Sequence, residues 1–177
     1  MTYKGENETV EQILAFVIKN PFILVIDTGA TKTAAGTIWY EKFLESLDSL
    51  YKKRLQESRD NRSFRFGNNM KFPSIKEVTI PLELGSMDTK LHVSIVDAHI
   101  PLLLGLPDME KLGLSIDIKK KELTTRTGET FKLIRTENGH LALLFMNASP
   151  ITKNVEDNYF VENDDEENEE SVFFNGE

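Results

Sequence analysis

The feature that most constrains the fold is a series of short apolar runs, most of them followed closely by Gly, Asn or Pro. Short runs rich in β-branched and aromatic residues between turn residues are typical of strands. The sequence predicts strands at 13–18, 22–26, 64–66, 70–72, 78–84, 91–96, 100–104, 114–118, 122–126, 131–135 and 140–145. A chain with so many closely spaced strands is expected to be all-β dominated, as a small barrel or sandwich.

Two segments depart from this strand pattern. Between 39 and 56, apolar residues recur at spacings of three and four with charges between them, which predicts an amphipathic helix ended by the polar stretch 57–63. Its apolar stripe can serve as a partner-binding surface, but a stripe of this kind more often packs into the core. A second, short helix is predicted at 107–112, because Pro107 suits a first helical turn and Gly113 suits a helix end.

Charge is distributed unevenly along the 177 residues. The net charge is −8, and ten of the 29 acidic residues lie in 155–177, which contains no Lys or Arg. The other 19 acidic residues and all 21 basic residues lie in 1–154, so this part is nearly neutral at +2 and a broad basic face for nucleic acid is not expected. We predict a flexible N-terminus at 1–10, a folded domain at 11–146 with a helical insertion at about 39–57, and a disordered acidic tail at 147–177.

Residue usage also excludes several chemistries. The chain has no Cys, which excludes a disulfide scaffold, thiolate metal sites and thiol catalysis. Its three histidines, His92, His99 and His140, lack the close spacing of a zinc motif, so neither a metal nor a cofactor is expected. The longest apolar stretch, 13–26, is interrupted by Lys19-Asn20-Pro21 and is shorter than the roughly 20 residues of a membrane span. With no signal-peptide pattern, we expect an intracellular, cytoplasmic protein without a membrane partner.

The most informative short motif is Asp27-Thr28-Gly29, which directly follows the apolar run 22–26. A carboxylate placed there enters partly dry surroundings, the Thr hydroxyl can bond locally, and Gly permits a tight turn. By itself the motif is weak, because Asp-Ser/Thr-Gly arises by chance in about one chain in ten of this length. An ordinary turn at a strand end is the alternative interpretation.

Two further elements follow the motif in a recognisable order. The predicted hairpin tip at Phe66-Gly67-Asn68-Asn69 comes next, and Leu103-Leu104-Gly105 then precedes the second helix. With these three elements, about residues 10–145 resemble the retropepsin family, the aspartic proteases of retroviruses and long-terminal-repeat retrotransposons. The resemblance implies a retropepsin-like closed acid-protease barrel with a flap hairpin, one inserted amphipathic helix and a short C-terminal helix.

The chain departs from the family pattern in three places. In retroviral members an Arg usually follows the Gly that corresponds to Gly105, and it makes an ion pair between the two subunits of a dimer. Leu106-Pro107 follows Gly105 here, so that ion pair is missing. The predicted flap has one Gly and two Asn rather than several Gly. The helix at 39–56 is an insertion relative to compact retroviral enzymes.

The resemblance also implies a site. Its catalytic residues are Asp27, Thr28 and Gly29, and its substrate-binding residues are Ala30, Phe66, Gly67, Asn68, Asn69, Leu103, Leu104 and Gly105. In this enzyme class two carboxylates share one proton around one water, and this chain has a single Asp-Thr-Gly. The implied enzyme is therefore a homodimer in which the two Asp27 side chains meet on the two-fold axis.

The implied partners are a polypeptide substrate and a second copy of the chain, without direct nucleic-acid binding. The implied setting is intracellular, including the interior of retrotransposon particles. Two other interpretations of the sequence stay open. The first is a catalytically idle module that keeps the fold for dimerisation or protein binding, and the second is an unrelated β-barrel that carries the motif by chance.

Overall fold

The computed structural model describes residues 20–65, 71–136, 138–146, 148 and 150–151. The predicted first strand at 13–18, the flexible N-terminus at 1–10 and the tip of the predicted flap at 66–70 lie outside the described residues. Almost all of the predicted acidic tail at 147–177 lies outside them as well.

The described chain is built mainly from strands. In chain order they are β1 (Ile23–Asp27), β2 (Ala34–Gly36), β3 (Gln56–Ser58), β4 (Ser63–Arg65), β5 (Lys71–Leu84), β6 (Met87–Val96), β7 (Leu102–Gly105), β8 (Ser115–Asp117), β9 (Glu122–Thr124), β10 (Thr130–Lys132), β11 (Ile134–Arg135) and β12 (Leu141–Leu144). The helices are α1 (Thr37–Ser46), α2 (Ser49–Lys52) and α3 (Leu106–Leu112). The prediction of a mostly β fold with few helices is therefore confirmed.

The strands form two sheets. The larger sheet has the order β11-β12-β1-β7-β2-β6-β5-β3, with β4 also paired to β5, and the smaller has the order β10-β9-β8. Strand β7 lies between β1 and β2, parallel to β1 and antiparallel to β2. Among the described residues the larger sheet is open, with β11 and β3 at its two ends, so the closed barrel stays a prediction.

Strands β5 and β6 form a long antiparallel hairpin whose turn is at Gly85, where φ is +58°. The sequence predicts two separate strands, 70–72 and 78–84, where the structure has the single strand β5. The pairing shifts between Ser74 and Lys76, which marks a bulge at the junction of the two predicted strands. The first residues of β5 pair with β4, so the two arms of the predicted flap hairpin are present.

The predicted helix at 39–56 is wrong in its extent. Helix α1 begins at Thr37 and ends before Leu47, whose backbone is extended. Asp48 then caps α2, because its carboxylate accepts a hydrogen bond of 2.7 Å from the Tyr51 backbone N–H. Gln56, the last residue of the predicted helix, forms β3 together with the next two residues, because Gln56–Ser58 pair with β5.

The apolar stripe of α1 packs into the core, as such stripes more often do, and does not form a partner-binding surface. Trp39 and Phe43 are fully buried and stack with ring centroids 4.9 Å apart. The Trp39 indole N–H donates to the Pro21 carbonyl at 2.9 Å, so its one polar atom is satisfied. Leu50 belongs to the same predicted stripe but is 73% exposed, whereas its neighbour Tyr51 in α2 packs against the core.

The prediction of the second helix is confirmed almost to the residue. Helix α3 has Pro107 in its first turn and ends at Gly113, whose φ of +64° lies in the left-handed region. Met109 and Leu112 bury its apolar face. This helix starts directly after β7, so it fixes the direction in which the chain leaves the carboxyl end of that strand.

Candidate active site

The Asp27 carboxylate lies at the last position of β1, where the buried strand reaches the surface. The four residues before it are buried, and Asp27 itself is partly exposed. Its Oδ1 accepts a hydrogen bond of 3.0 Å from the Gly29 N–H, and its backbone carbonyl accepts one of 3.1 Å from Ala30. These two bonds fold a tight turn around the carboxylate, and the described residues offer no hydrogen bond to its other oxygen, Oδ2. Within the described chain, one carboxylate oxygen is thus held by a hydrogen bond and the other is not.

The loop 28–33 crosses the carboxyl end of β7, because it connects β1 and β2 on either side of that strand. Asp27 is paired in register with Gly105, the last residue of β7. Beyond that pair, the Leu106 N–H donates to the Ala30 carbonyl at 3.0 Å, and the Gly105 N–H donates to Thr33 Oγ1 at 3.1 Å. The loop is therefore fastened to the β7–α3 junction at two points.

Gly105 is required by close packing. A Cβ atom at this position would lie 2.6 Å from the backbone carbon of Lys32 and 2.9 Å from its carbonyl oxygen. Such distances are well inside van der Waals contact, and a backbone atom cannot swing aside as a side chain can. The absence of a side chain at Gly105 thus determines how closely the loop approaches β7.

A cleft of about 810 Å³ opens beside the carboxylate. The Asp27 loop and the first part of the β4–β5 hairpin form its walls. Its described lining residues are Asp27, Gly29, Ala30, Thr31, Lys32, Ala34, Arg62, Ser63, Phe64, Arg65, Lys71 and Leu103. The cleft therefore borders both the predicted catalytic loop and the predicted flap arms.

The structure brings together part of the site expected from the sequence. Asp27, Gly29, Ala30 and Leu103 all line the cleft, and Thr28 is exposed on the turn beside it. Their roles in catalysis and substrate binding stay predictions.

Two other expected substrate-binding residues lie beneath the cleft. The Leu104 side chain is fully buried in the core, and Gly105 packs against the Lys32 backbone. Both therefore support the Asp27 loop from below, and their role in substrate binding stays a prediction. Phe66, Gly67, Asn68 and Asn69, expected at the hairpin tip, lie outside the described residues.

A buried polar network beside the cleft was missed by sequence analysis. The Asp60 side chain is only 2% exposed, and its Oδ2 accepts a hydrogen bond of 2.7 Å from the Ser94 hydroxyl. Its Oδ1 is 3.1 Å from both the backbone nitrogen and Nε of Arg62. The Arg62 guanidinium also contacts Glu77 at 2.5 Å. The only sequence signal was a polar stretch at 57–63, which is equally typical of an exposed loop.

The network connects the β4–β5 hairpin to the Asp27 loop. The Ser94 backbone N–H donates to the Thr33 carbonyl at 3.2 Å, and Thr33 in turn holds the Gly105 N–H. Asp60 therefore contacts both Arg62, which directly precedes β4 of the hairpin, and Ser94, whose backbone binds Thr33. The same Thr33 anchors the Asp27 loop. Burial opposes ionisation of Asp60, but hydrogen bonds, chiefly from Ser94, outweigh burial and hold its pKa below the usual value.

The Asp60→Asn variant is expected to lose about 1–3 kcal/mol of unfolding free energy at neutral pH, because Arg62 loses its buried negative partner and Ser94 loses a charged hydrogen-bond acceptor. A carboxylate with a lowered pKa contributes stability above about pH 4, and this stability is lost as pH falls through the folded-state pKa. The difference from the wild type should therefore shrink in acid. Urea unfolding between neutral and acid pH measures it.

Asp88→Asn is the matched control, since Asp88 is an exposed carboxylate next to the turn of the β5–β6 hairpin. It should change stability by less than about 0.5 kcal/mol. An Asp60→Asn variant as stable as this control at neutral pH would show that the buried network does not hold the hairpin.

The described residues contain no group of three or more metal-ligating side chains positioned to hold a metal ion. In the same part of the chain, no helix has the length and apolar character needed to cross a bilayer.

No protein-family model matches the chain, and no curated protein matches it. Among solved structures, the chain is similar to the retroviral protease-like domain of Ddi1 from Leishmania major, with 17% identity and a TM-score of 0.35. The match covers 68% of this chain and 82% of that chain.

Proposed function

We propose that the chain is the subunit of a homodimeric aspartic endopeptidase of the retropepsin kind, derived from a retrotransposon. The observation that carries the proposal is the position of Asp27. Asp27 is the last residue of a buried strand, and among the described contacts its carboxylate is held only through Oδ1. The carboxylate borders a cleft whose opposite wall is a β-hairpin. The order of the three sequence elements supports the same conclusion.

The proposed chemistry needs two carboxylates. One Asp27 acts as general base on a water molecule, and the Asp27 of a second copy carries the shared proton and donates a hydrogen bond to the scissile carbonyl. The water oxygen bonds to the carbonyl carbon, the peptide C–N bond then breaks, and the leaving nitrogen takes up a proton. Two carboxylates about 3 Å apart cannot both be ionised, so a close pair retains one proton.

The turn around Asp27 suits this role. The Gly29 N–H fixes Oδ1, so the carboxylate does not need to reorganise when it takes a proton from the water. A substrate chain would lie extended in the cleft, paired through its backbone to strand edges. The β4–β5 hairpin would cover it and exclude bulk water.

The proposal predicts that activity depends on protein concentration. Cleavage of a peptide mixture, expressed per chain, should fall steeply as the protein is diluted through the dissociation constant of the dimer, because a monomer has one Asp27. Sedimentation measured over the same concentrations should show the loss of dimer and the loss of activity together.

Constant activity per chain in a sample shown to be monomeric would contradict the proposed site. A stable dimer that cleaves no peptide in a diverse mixture would instead support the idle module, in which the fold serves dimerisation or binding.

A further inference from the structure

The walls of the cleft are strongly cationic. Among its described lining residues, Lys32, Arg62, Arg65 and Lys71 carry positive charge, and Asp27 is the one carboxylate. These cations lie on two different elements, the Asp27 loop and the segment that enters and forms the β4–β5 hairpin. An extended chain in the cleft would therefore meet positive charge from both walls.

Only one of these four cations is neutralised within the described chain. Arg62 is paired with Asp60 and Glu77. In the described part of the chain, no carboxylate forms an ion pair with Lys32, Arg65 or Lys71, and all three are exposed. Their charge is available to a ligand.

Arg65 and Lys71 are also direct cross-strand partners at the end of the hairpin arms. Side chains in this relation have Cβ atoms about 5 Å apart on one face of the sheet, and like charges so placed repel. An anionic group bound between them would remove that repulsion as well as add two attractive contacts. The described arms of the hairpin thus present two adjacent positive charges to the cleft, and no described carboxylate forms an ion pair with either of them.

We propose that the cleft selects acidic peptides, with Asp or Glu side chains near the scissile bond contacting Arg65, Lys71 and Lys32. This inference rests on the proposed endopeptidase function and names its substrate class. A peptide fits better than a nucleic acid because residues 1–154 carry 19 acidic against 21 basic residues, so no broad basic surface is expected around the cleft.

The acidic chain can come from two sources, a substrate in another protein or residues 155–177 of this chain, which hold ten acidic residues and no basic one. A full-length variant with these ten residues changed to Asn and Gln separates the sources. Tighter binding of an added acidic peptide by this variant identifies the chain's own segment as a competitor. Unchanged binding identifies the substrate as the source.

The test measures binding apart from cleavage, using full-length Asp27→Asn protein and fluorescent peptides that differ only in Glu, Gln or Lys around a common apolar centre. The Glu peptide should bind most tightly, and its affinity should fall between about 0.05 M and about 0.5 M salt. Arg65→Gln and Lys71→Gln should each weaken its binding about twofold to fivefold and leave the Gln peptide unaffected. Lys90→Gln, a matched change on the distant part of β6, should alter neither.

Equal affinity for the Glu and Gln peptides would overturn the proposal. A short single-stranded RNA that displaces the Glu peptide at a lower concentration than the unlabelled peptide does would overturn it as well. Selective binding of the Glu peptide without cleavage by the wild type would support the acidic preference and contradict the endopeptidase function. The two proposals therefore fail separately.

Discussion

The Asp27→Asn variant should lose cleavage activity by a factor of about a thousand or more, because an amide cannot act as the general base on water. The wild type should show a bell-shaped pH profile with its maximum on the acid side of neutral, since only the singly protonated pair supplies both base and donor. Steady-state cleavage of a peptide mixture across pH measures both effects. The variant should show no such profile at any pH.

Folding of this variant is expected to be intact. The amide oxygen of the substituted side chain can still accept the hydrogen bond from the Gly29 N–H, and position 27 is partly exposed. Thermal unfolding and sedimentation therefore serve as controls. A well-folded variant that retains wild-type activity would show that Asp27 does not act on the water.

Gly105→Ala should have the second largest effect, because its Cβ would clash with the Lys32 backbone at 2.6 Å. Relief of the clash requires the Asp27 loop to move, which is expected to cost about 3 kcal/mol of unfolding free energy. A displacement of the loop by about 1 Å would lower activity about a hundredfold even in molecules that remain folded. Chemical unfolding and single-turnover cleavage separate the two effects.

Leu106→Ala provides the adjacent control. Leu106 is 41% exposed at the start of α3, so its truncation should cost less than about 1 kcal/mol and leave the loop in place. If Gly105→Ala behaves like this control in both stability and turnover, the close approach of the loop to β7 has no role in the site.

Local signals explain which parts of the fold were predictable. Pro107 and Gly113 mark both ends of α3, and each acts through its own backbone conformation without help from distant residues. The same holds for the Gly85 turn of the β5–β6 hairpin, which requires positive φ. Asp27 was also identifiable, because a carboxylate directly after a buried run is a local pattern.

Features that depend on pairing between distant residues were not predictable. Gln56 stands at the end of the helical pattern and residues 57–58 in the polar stretch after it, yet Gln56–Ser58 form β3 because they pair with an edge of β5 about 20 residues later. Thr33 and Asp60 look like ordinary polar loop residues, and their importance arises only when Gly105 and Ser94 are brought to them. The order in which β7 inserts between β1 and β2 is likewise a property of the whole sheet.

A site shared between two subunits is tested most directly by mixing unfolded wild-type and Asp27→Asn chains and refolding them together. If each site needs one Asp27 from each of two subunits, an equal mixture should retain about one quarter of the activity of wild-type protein at the same total concentration, because about one quarter of randomly paired dimers carry both carboxylates. Activity of one half, equal to the wild-type fraction, would mean that each chain forms a complete site by itself, and it would contradict the homodimeric aspartic endopeptidase.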